Sequence, residues 1–323
     1  MPPTSGPTSG PTSAPTLPPT SGPTSGPTSP PTTQSQLGTD TSDIVTPEPE
    51  TNTTNPDEIV ESDSGSMGDP HFKSWVGEHF EFHGQCDLVL AKDADFANGL
   101  GLDVHIRTKL VRFWSYIKRA AIRIGDDILE VEGSADMEKK DPLYWFNFVH
   151  QRSVETVGGF PLKITKGTGR SHIHKFEIDL SSKYPGQKIV IATMKEFVKV
   201  DFINASAEAF GNSIGMLGDF NTGKTYARDQ TTVVDDFMEL GSEWQVMPSD
   251  NILFQDVSDP QYPKRCILPE DPRGERRRRL EESSITLEEA EAACSKSLND
   301  PLTIKDCVYD ILATQDMDMV GAF

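Results

Sequence analysis

Short runs in which apolar and polar residues alternate dominate the chain after Met67, and they limit it to folds built from antiparallel sheets. Examples are residues 104–107 and 197–200. A period of two places the apolar side chains on one face of a strand, which is typical of half-buried antiparallel strands. About ten such strands lie between residues 70 and 205, and residues 125–127 form a hairpin-turn sequence. The pattern therefore predicts a mainly β protein, with two packed antiparallel sheets forming a β-sandwich.

Residues 1–66 have a composition that cannot form such a core. They contain no Lys, no Arg and no aromatic residue, and residues 2–33 repeat a Pro-Thr-Ser-Gly unit. Burial of so small an apolar surface cannot offset the conformational entropy that the chain would lose on folding. We therefore predict a disordered stalk followed by an acidic linker. In an extracellular protein, this composition is typical of a mucin-like stalk; an unmodified spacer is the alternative. Met1 leads directly into the repeat without a secretory signal, so we expect that the true N-terminus is missing.

The charge and the motif content exclude several classes of function. The formal net charge is −20, from 30 basic and 50 acidic residues. This disfavours a nucleic-acid partner, because phosphate contacts need clustered Lys and Arg, and it is compatible with divalent cations. No apolar stretch is long enough for a membrane span. Hydrolase, phosphate-loop, zinc-protease and dinucleotide-binding motifs are also lacking, so we predict a protein that is not an enzyme.

The C-terminal residues predict a helical hairpin. Residues 286–289 form a capping box, and Asp300-Pro301 supplies the N-cap and the first-turn proline of a second helix. This arrangement would place Cys294 and Cys307 on facing helices. A disulfide that closes so short a loop contributes about 3 kcal/mol in the chain-entropy model. We therefore expect a disulfide-stapled helical tail at residues 285–323.

Four short motifs are spaced along the β-rich part of the chain. They are Gly68-Asp69-Pro70-His71, Gly84-Gln85-Cys86, Gly215-Met216-Leu217-Gly218-Asp219-Phe220-Asn221 and Trp244-Gln245-Val246. In this order they resemble the von Willebrand factor type D domain, over about residues 67–266. The resemblance implies a calcium-stabilised module in a secreted structural or adhesive protein.

The same resemblance implies how the remaining cysteines pair. In the family, the cysteine of the Gly-x-Cys strand is joined to one beyond the Trp-x-Val strand, and Cys86 and Cys266 occupy those places. With Cys294–Cys307, all four cysteines would be paired inside the chain, as is typical of an oxidising compartment. A disulfide-linked multimer is therefore not expected. The alternative is four buried thiols in a cytosolic protein.

The resemblance also implies a calcium site, because the family binds calcium at the turn that contains Asp219. Calcium takes six to eight oxygen ligands, and this turn offers oxygen donors at alternate positions. The expected ligands are Asp219, Asn221 and Asp229, carbonyl groups near Gly223, and Asp69 from the start of the β region. A polar turn capped by Asp or Asn is the alternative.

Two candidate cleavage sites support a different function, that of a self-processing precursor. Some family members cut their own chain at the bond that corresponds to Asp69–Pro70. The basic run from Arg276 to Arg279, followed by Leu280, is typical of a processing site, although a solvated linker would look the same. A lipid- or ligand-carrying module is a third possibility, because some type D domains occur in lipid-transport proteins.

The remaining polar motifs are less specific. Asn52 and Asn204 begin N-glycosylation sequons, and the histidine pairs at 172/174 and 79/83 are typical of exposed surface pairs. Expected partners are the extracellular matrix, cell-surface molecules or glycans. The predicted organisation is a disordered stalk and linker at 1–66, a type D-like domain at 67–266, a basic linker at 267–284 and the helical tail at 285–323.

Overall fold

Two antiparallel sheets organise the protein, as a computed structural model shows. The structure describes residues 62–67, 70–111, 114–134, 141–167, 173–256, 266–269 and 284–323. All of them belong to one unit, Asn55–Phe323. An eight-stranded sheet and a six-stranded sheet supply the main hydrophobic core, which confirms the predicted mainly β fold.

The described residues form fourteen strands: β1 Ser62–Met67, β2 His71–Lys73, β3 His79–Glu81, β4 Asp87–Asp93, β5 Leu102–Val111, β6 Trp114–Ile124, β7 Asp127–Glu132, β8 Leu143–Phe146, β9 Val149–His150, β10 Thr156–Val157, β11 Phe160–Thr165, β12 His174–Asp179, β13 Lys188–Met194 and β14 Phe197–Ala205. Their helices are α1 Phe96–Gly99, α2 Ala207–Phe210, α3 Phe237–Glu243, α4 Leu287–Ser297, α5 Pro301–Thr314 and a final 3₁₀ helix, Met317–Ala322.

The larger sheet has the strand order β10-β11-β12-β13-β14-β1-β2-β3, and the smaller sheet runs in sequence order from β4 to β9. The predicted hairpin joins β6 to β7: Ile124 pairs with Asp127 across Gly125 and Asp126, and Gly125 has a φ of 62°. A glycine adopts this positive φ without steric cost, which suits a two-residue hairpin turn. The additional strands relative to the sequence prediction are mostly two to four residues long, too short to display a period.

Strand β1 corrects the predicted boundary of the linker, which included residues 62–66. It lies inside the larger sheet, with β14 on one side and β2 on the other. Its Ser and Gly residues lack an apolar alternation, so the backbone ladders on both sides hold it. Gly65 packs so closely on the neighbouring strand that an added Cβ would lie 2.0 Å from the carbonyl oxygen of Val200. A glycine is therefore required at position 65.

The core between the sheets is apolar. Ile106 and Ile122 come from the smaller sheet, Phe176, Ile191 and Phe202 come from the larger sheet, and all five are fully buried. Burying a side chain of this size contributes about 1.5–3 kcal/mol, so this layer is the main source of stability.

A buried ion pair joins β4 to β5. Arg107 Nε lies 2.6 Å from Asp87 Oδ1, and its Nη2 lies 2.8 Å from Oδ2, so the pair is bidentate. The same guanidinium donates to the carbonyl of Asp256 and stacks 4.5 Å from the ring centroid of Phe254. This arrangement ties the segment after Trp244 to β4 and β5.

A second buried polar group, His105 on β5, is 1% exposed. Burial lowers the pKa of His105 to about 4, although the nearby carboxylates of Asp103 and Asp250 oppose this effect. Lys92 and Arg228 also face the imidazole and favour its neutral form. The protein therefore holds a neutral histidine at physiological pH.

The C-terminal helices form the predicted hairpin, with Cys294 bonded to Cys307. Thr286 and Glu289 make the expected capping box, and Asp300 caps the proline-initiated helix α5. Leu287, at the first helical position, is 54% exposed.

The helical hairpin packs against the sandwich, a contact that the sequence does not predict. A second hydrophobic cluster joins Trp114 and Tyr116 of β6 and Phe197 of β14 to Ile311 and Leu312 of α5. All five side chains are buried. The tail is therefore continuous with the sandwich.

Candidate functional site

The turn expected to bind calcium is a hydrogen-bonded loop at residues 219–224. Asp219 Oδ1 accepts hydrogen bonds from Thr222, at 2.7 Å from the backbone N and 2.8 Å from Oγ1. The backbone N of Gly223 donates to the carbonyl of Asp219, and Gly223 has the positive φ of 67° that closes the turn. Asp219 is half-buried, and Asn221 is exposed and donates to the carbonyl of Gly211. The turn thus keeps oxygen atoms near the surface.

The hairpin of β2 and β3 packs directly on this turn. The backbone N of Trp75 donates to the carbonyl of Leu217, and its indole Nε1 donates to the carbonyl of Gly218. Val76 is so close to Gly223 that an added Cβ would lie 2.5 Å from its Cγ1. The chain that follows Asp69 therefore contacts the predicted site, while Asp69 itself lies outside the described residues.

Asp229 caps a separate turn. Its Oδ1 accepts from the backbone N of Thr231 and Thr232, and its Oδ2 accepts from Thr232 Oγ1. These donors, the Thr232 amide first, lower the pKa of Asp229 to about 2. Asp219 and Asp229 do not join a group of three acidic, histidine or cysteine side chains with ligand atoms within 4.8 Å of one another in the described ranges. Each carboxylate has a turn-forming role, as the alternative interpretation expects, and their calcium ligation stays a prediction.

Both predicted disulfides are present. Cys86 is bonded to Cys266 across a sequence separation of 180 residues, and β-bridge pairing of Gln85 with Ile267 accompanies the bond. The segment after Trp244 also pairs with β4, through the bridge between Leu88 and Gln245. The disulfide therefore joins the start of the smaller sheet, at β4, to the chain that follows Gln245.

Other predicted positions are only partly described. Asn52, Arg279 and Leu280 lie outside the described residues, as does Asp69 of the Asp69–Pro70 bond. Pro70 is buried, and its carbonyl accepts from the backbone N of Phe82.

Asn204 lies near the end of β14 and donates its amide to the carbonyl of Gly186. Its sequon serine, Ser206, is 9% exposed and bonds to Gln187. In the folded chain, the amide of Asn204 and the hydroxyl of Ser206 are therefore both hydrogen-bonded.

A cluster of histidines and carboxylates lies between the hairpin of β2 and β3 and helix α5. We call it the His71 cluster, and its members are His71, His79, Glu81, His83, Asp300, Asp306 and Asp310. His71 is 2% exposed and Asp310 is fully buried. His71 Nδ1 lies 3.7 Å from Glu81 Oε1 and 3.7 Å from Asp306 Oδ1. Its other ring nitrogen, Nε2, lies 3.0 Å from Asp310 Oδ1.

The two outer histidines, His79 and His83, contact the two carboxylates that also lie near His71 Nδ1. His79 Nδ1 lies 2.9 Å from Asp306 Oδ2, and His83 Nε2 lies 3.3 Å from Glu81 Oε2. Both histidines are half-buried, so the expectation of an exposed pair is wrong: helix α5 covers this face of the hairpin. His174 of the other predicted pair is also buried, at 6% exposure, and His172 lies outside the described residues.

Sequence reasoning missed the cluster because its two halves lie far apart in the chain. His71 and Asp310 are separated by 239 residues. One signal was available: Asp306 and Asp310 are four residues apart and so share one face of α5, next to the face that carries Cys307. Carboxylates on a buried face require a charged or hydrogen-bonding partner, which indicates that the tail docks on a polar surface.

No helix in the described part of the chain has both the length and the apolar character that crossing a bilayer requires. Comparison with models of known protein families and with curated proteins finds no match.

Proposed function

We propose that the chain is a secreted structural or adhesive module of the von Willebrand factor type D kind, without catalytic activity. The observation that carries the proposal is the Cys86–Cys266 disulfide. This pairing is the one that the motif resemblance implies, and it depends on two distant motifs being in the right places. A fold pinned in this way suits a protein that must persist outside the cell and present a surface.

The compartment is supported by the full use of the cysteines. The described residues contain two disulfides and no free cysteine. Such bonds persist in oxidising environments and are rare in the cytosol. Extracellular matrix, cell-surface molecules or glycans are the partners that fit a non-enzymatic module of this kind.

A calcium ion at the Asp219 turn is the second part of the proposal. Asp219, Asn221 and carbonyl groups near Gly223 supply oxygen donors, and the hairpin that follows Asp69 packs on the turn. Oxygen-only donor sets suit calcium, and extracellular modules bind it with a dissociation constant of ~10⁻⁴ M or tighter. The ion would hold the turn against the first hairpin and stabilise that end of the sandwich.

The compartment is tested on the natural protein. Cell and medium fractions are treated with an alkylating agent, with and without prior reduction, and intact mass and the N-terminus are determined. We expect the protein in the extracellular fraction with all four cysteines protected until reduction. Intracellular protein whose four cysteines are alkylated without prior reduction would refute the proposal.

The calcium site is tested by thermal unfolding of the full chain in chelator, magnesium and calcium. A calcium concentration of 100 times the dissociation constant should stabilise the protein by about 2.7 kcal/mol. Asp219→Asn should reduce this gain, because it removes a charge while keeping an acceptor for Thr222. Asp235→Asn, which removes an exposed carboxylate from the next loop, is the control. No calcium-dependent stabilisation of the unaltered protein would eliminate the site.

A further inference from the structure

Three side chains of the His71 cluster converge on one point. His71, Glu81 and Asp306 each offer a ligand atom, and these atoms lie within 4.8 Å of one another. Zinc bonds of about 2.0–2.1 Å in tetrahedral geometry require ligand atoms about 3.3 Å apart. The distances of 3.7 Å from His71 Nδ1 to each carboxylate oxygen are close to that value. A contraction of a few tenths of an ångström would bring His71 Nδ1 to the zinc-ligand spacing from each carboxylate oxygen.

Each of the three side chains is also oriented by a partner on its far side. Asp310 contacts His71 Nε2, His79 contacts the second oxygen of Asp306, and His83 contacts the second oxygen of Glu81. A carboxylate behind a ligating imidazole fixes its ring orientation and raises its basicity. The donor atoms are therefore held toward their common point before any ion is bound.

Aromatic side chains border the inner side of this point. The ring of Tyr309 meets His71 edge-on, at a centroid distance of 6.0 Å, and Phe323 lies 6.4 Å away. Glu81 is the most accessible of the three ligands, with its side chain 30% exposed, so an ion could enter from that side. A low dielectric strengthens the attraction between a cation and its ligands.

The charges also favour a cation. Buried carboxylates are costly unless positive charge compensates them. An ordinary imidazole is mostly neutral above pH 7, whereas a divalent ion supplies two charges. One imidazole nitrogen with two carboxylate oxygens suits zinc, whereas calcium prefers oxygen donors alone.

We propose that His71, Glu81 and Asp306 form a zinc site that joins the β2–β3 hairpin to helix α5. A water molecule would fill the fourth position. His71 and Glu81 are direct partners across the hairpin, and Asp306 comes from the helical tail. The zinc ion thus holds helix α5 against the sandwich. The site is separate from the proposed calcium turn and does not depend on the extracellular function.

The test uses the full chain, stripped with a chelator and titrated with zinc chloride by calorimetry in buffer that contains 1 mM calcium. We expect one zinc ion per chain. Glu81→Gln and Asp306→Asn should each weaken zinc binding at least tenfold. The matched controls are Glu208→Gln and His150→Gln, which change an exposed carboxylate and an exposed imidazole outside the cluster and should leave the affinity unchanged.

A second measurement covers the case in which a variant does not fold. Hydrogen exchange of the unaltered protein should slow on zinc addition in two segments together, His71–Glu81 and Pro301–Thr314. Cobalt in place of zinc should give the visible absorption of a tetrahedral ion. Absence of zinc uptake, uptake that both cluster variants retain, or protection of neither segment would overturn the proposal.

Discussion

The two disulfides differ in the length of chain that they close, and this difference predicts unequal contributions to stability. Cys86–Cys266 spans 180 residues, whereas Cys294–Cys307 spans 13. In the chain-entropy model, these loops restrict the unfolded state by about 5 and about 3 kcal/mol. Breaking the long-range bond should therefore destabilise the protein by about 2 kcal/mol more than breaking the bond inside the tail.

Substituting the cysteines alone would confuse this comparison, because Cys294 and Cys307 are fully buried and their removal also leaves a cavity. Two double variants avoid the difficulty. Cys294→Ala/Cys307→Ala retains the long-range bond, and Cys86→Ala/Cys266→Ala retains the short one. Each variant is unfolded in urea with and without reductant, so that the reductant breaks one bond while keeping both sulfur atoms.

Unfolding is followed by the fluorescence of the four tryptophans. Reduction of the variant that keeps Cys86–Cys266 should lower the free energy of unfolding by about 5 kcal/mol and raise the urea dependence, because the unfolded chain expands. Reduction of the other variant should cost about 3 kcal/mol. If the short bond costs as much as the long one, the stabilisation does not arise from restriction of the unfolded chain.

Three further substitutions test the buried polar groups and one close approach. Arg107→Met should cost about 3–5 kcal/mol in urea unfolding, because the buried carboxylate of Asp87 loses its guanidinium; a cost below about 1 kcal/mol would contradict this. His105 has a folded pKa of about 4 against an ordinary value of 6.5, so its contribution to stability is full above pH 6.5 and is lost as the pH falls through 4. Between pH 7 and 4, the free energy of unfolding should therefore fall by about 3 kcal/mol less in His105→Leu than in the unaltered protein. An equal fall in both would be inconsistent with a neutral buried imidazole. Gly215→Ala should cost about 2 kcal/mol or more in thermal unfolding, because its φ of 134° disfavours a side chain and the new Cβ would lie 2.7 Å from the carbonyl oxygen of Leu90; an unaffected melting temperature would show that the turn can adjust.

The sequence predicts those parts of the structure that local chemistry determines. Alternation identifies the long strands such as β5 and β14, and side-chain capping identifies α4 and α5. The pairing of Cys86 with Cys266 also agrees with expectation, although it follows from a resemblance between motifs and not from spacing.

Strand β1 and the His71 cluster escape prediction for different physical reasons. The serines and glycine of β1 have no preferred face, so only the neighbouring strands reveal that they form a central strand. In the cluster, His79 and Asp306 are 227 residues apart and are brought together by docking of a helix on a hairpin. No local pattern specifies which surface an amphipathic helix covers.

The central position of β1 determines how the protein would respond to a pulling force. Tension applied to the chain ahead of Ser62 enters the larger sheet between β14 and β2 and not at an edge. Release of β1 would then require two hydrogen-bond ladders to slide at once, whereas an edge strand could peel away one bond at a time. A module attached in this way would resist traction through its N-terminal side, which is a mechanical advantage for any protein that anchors one surface to another.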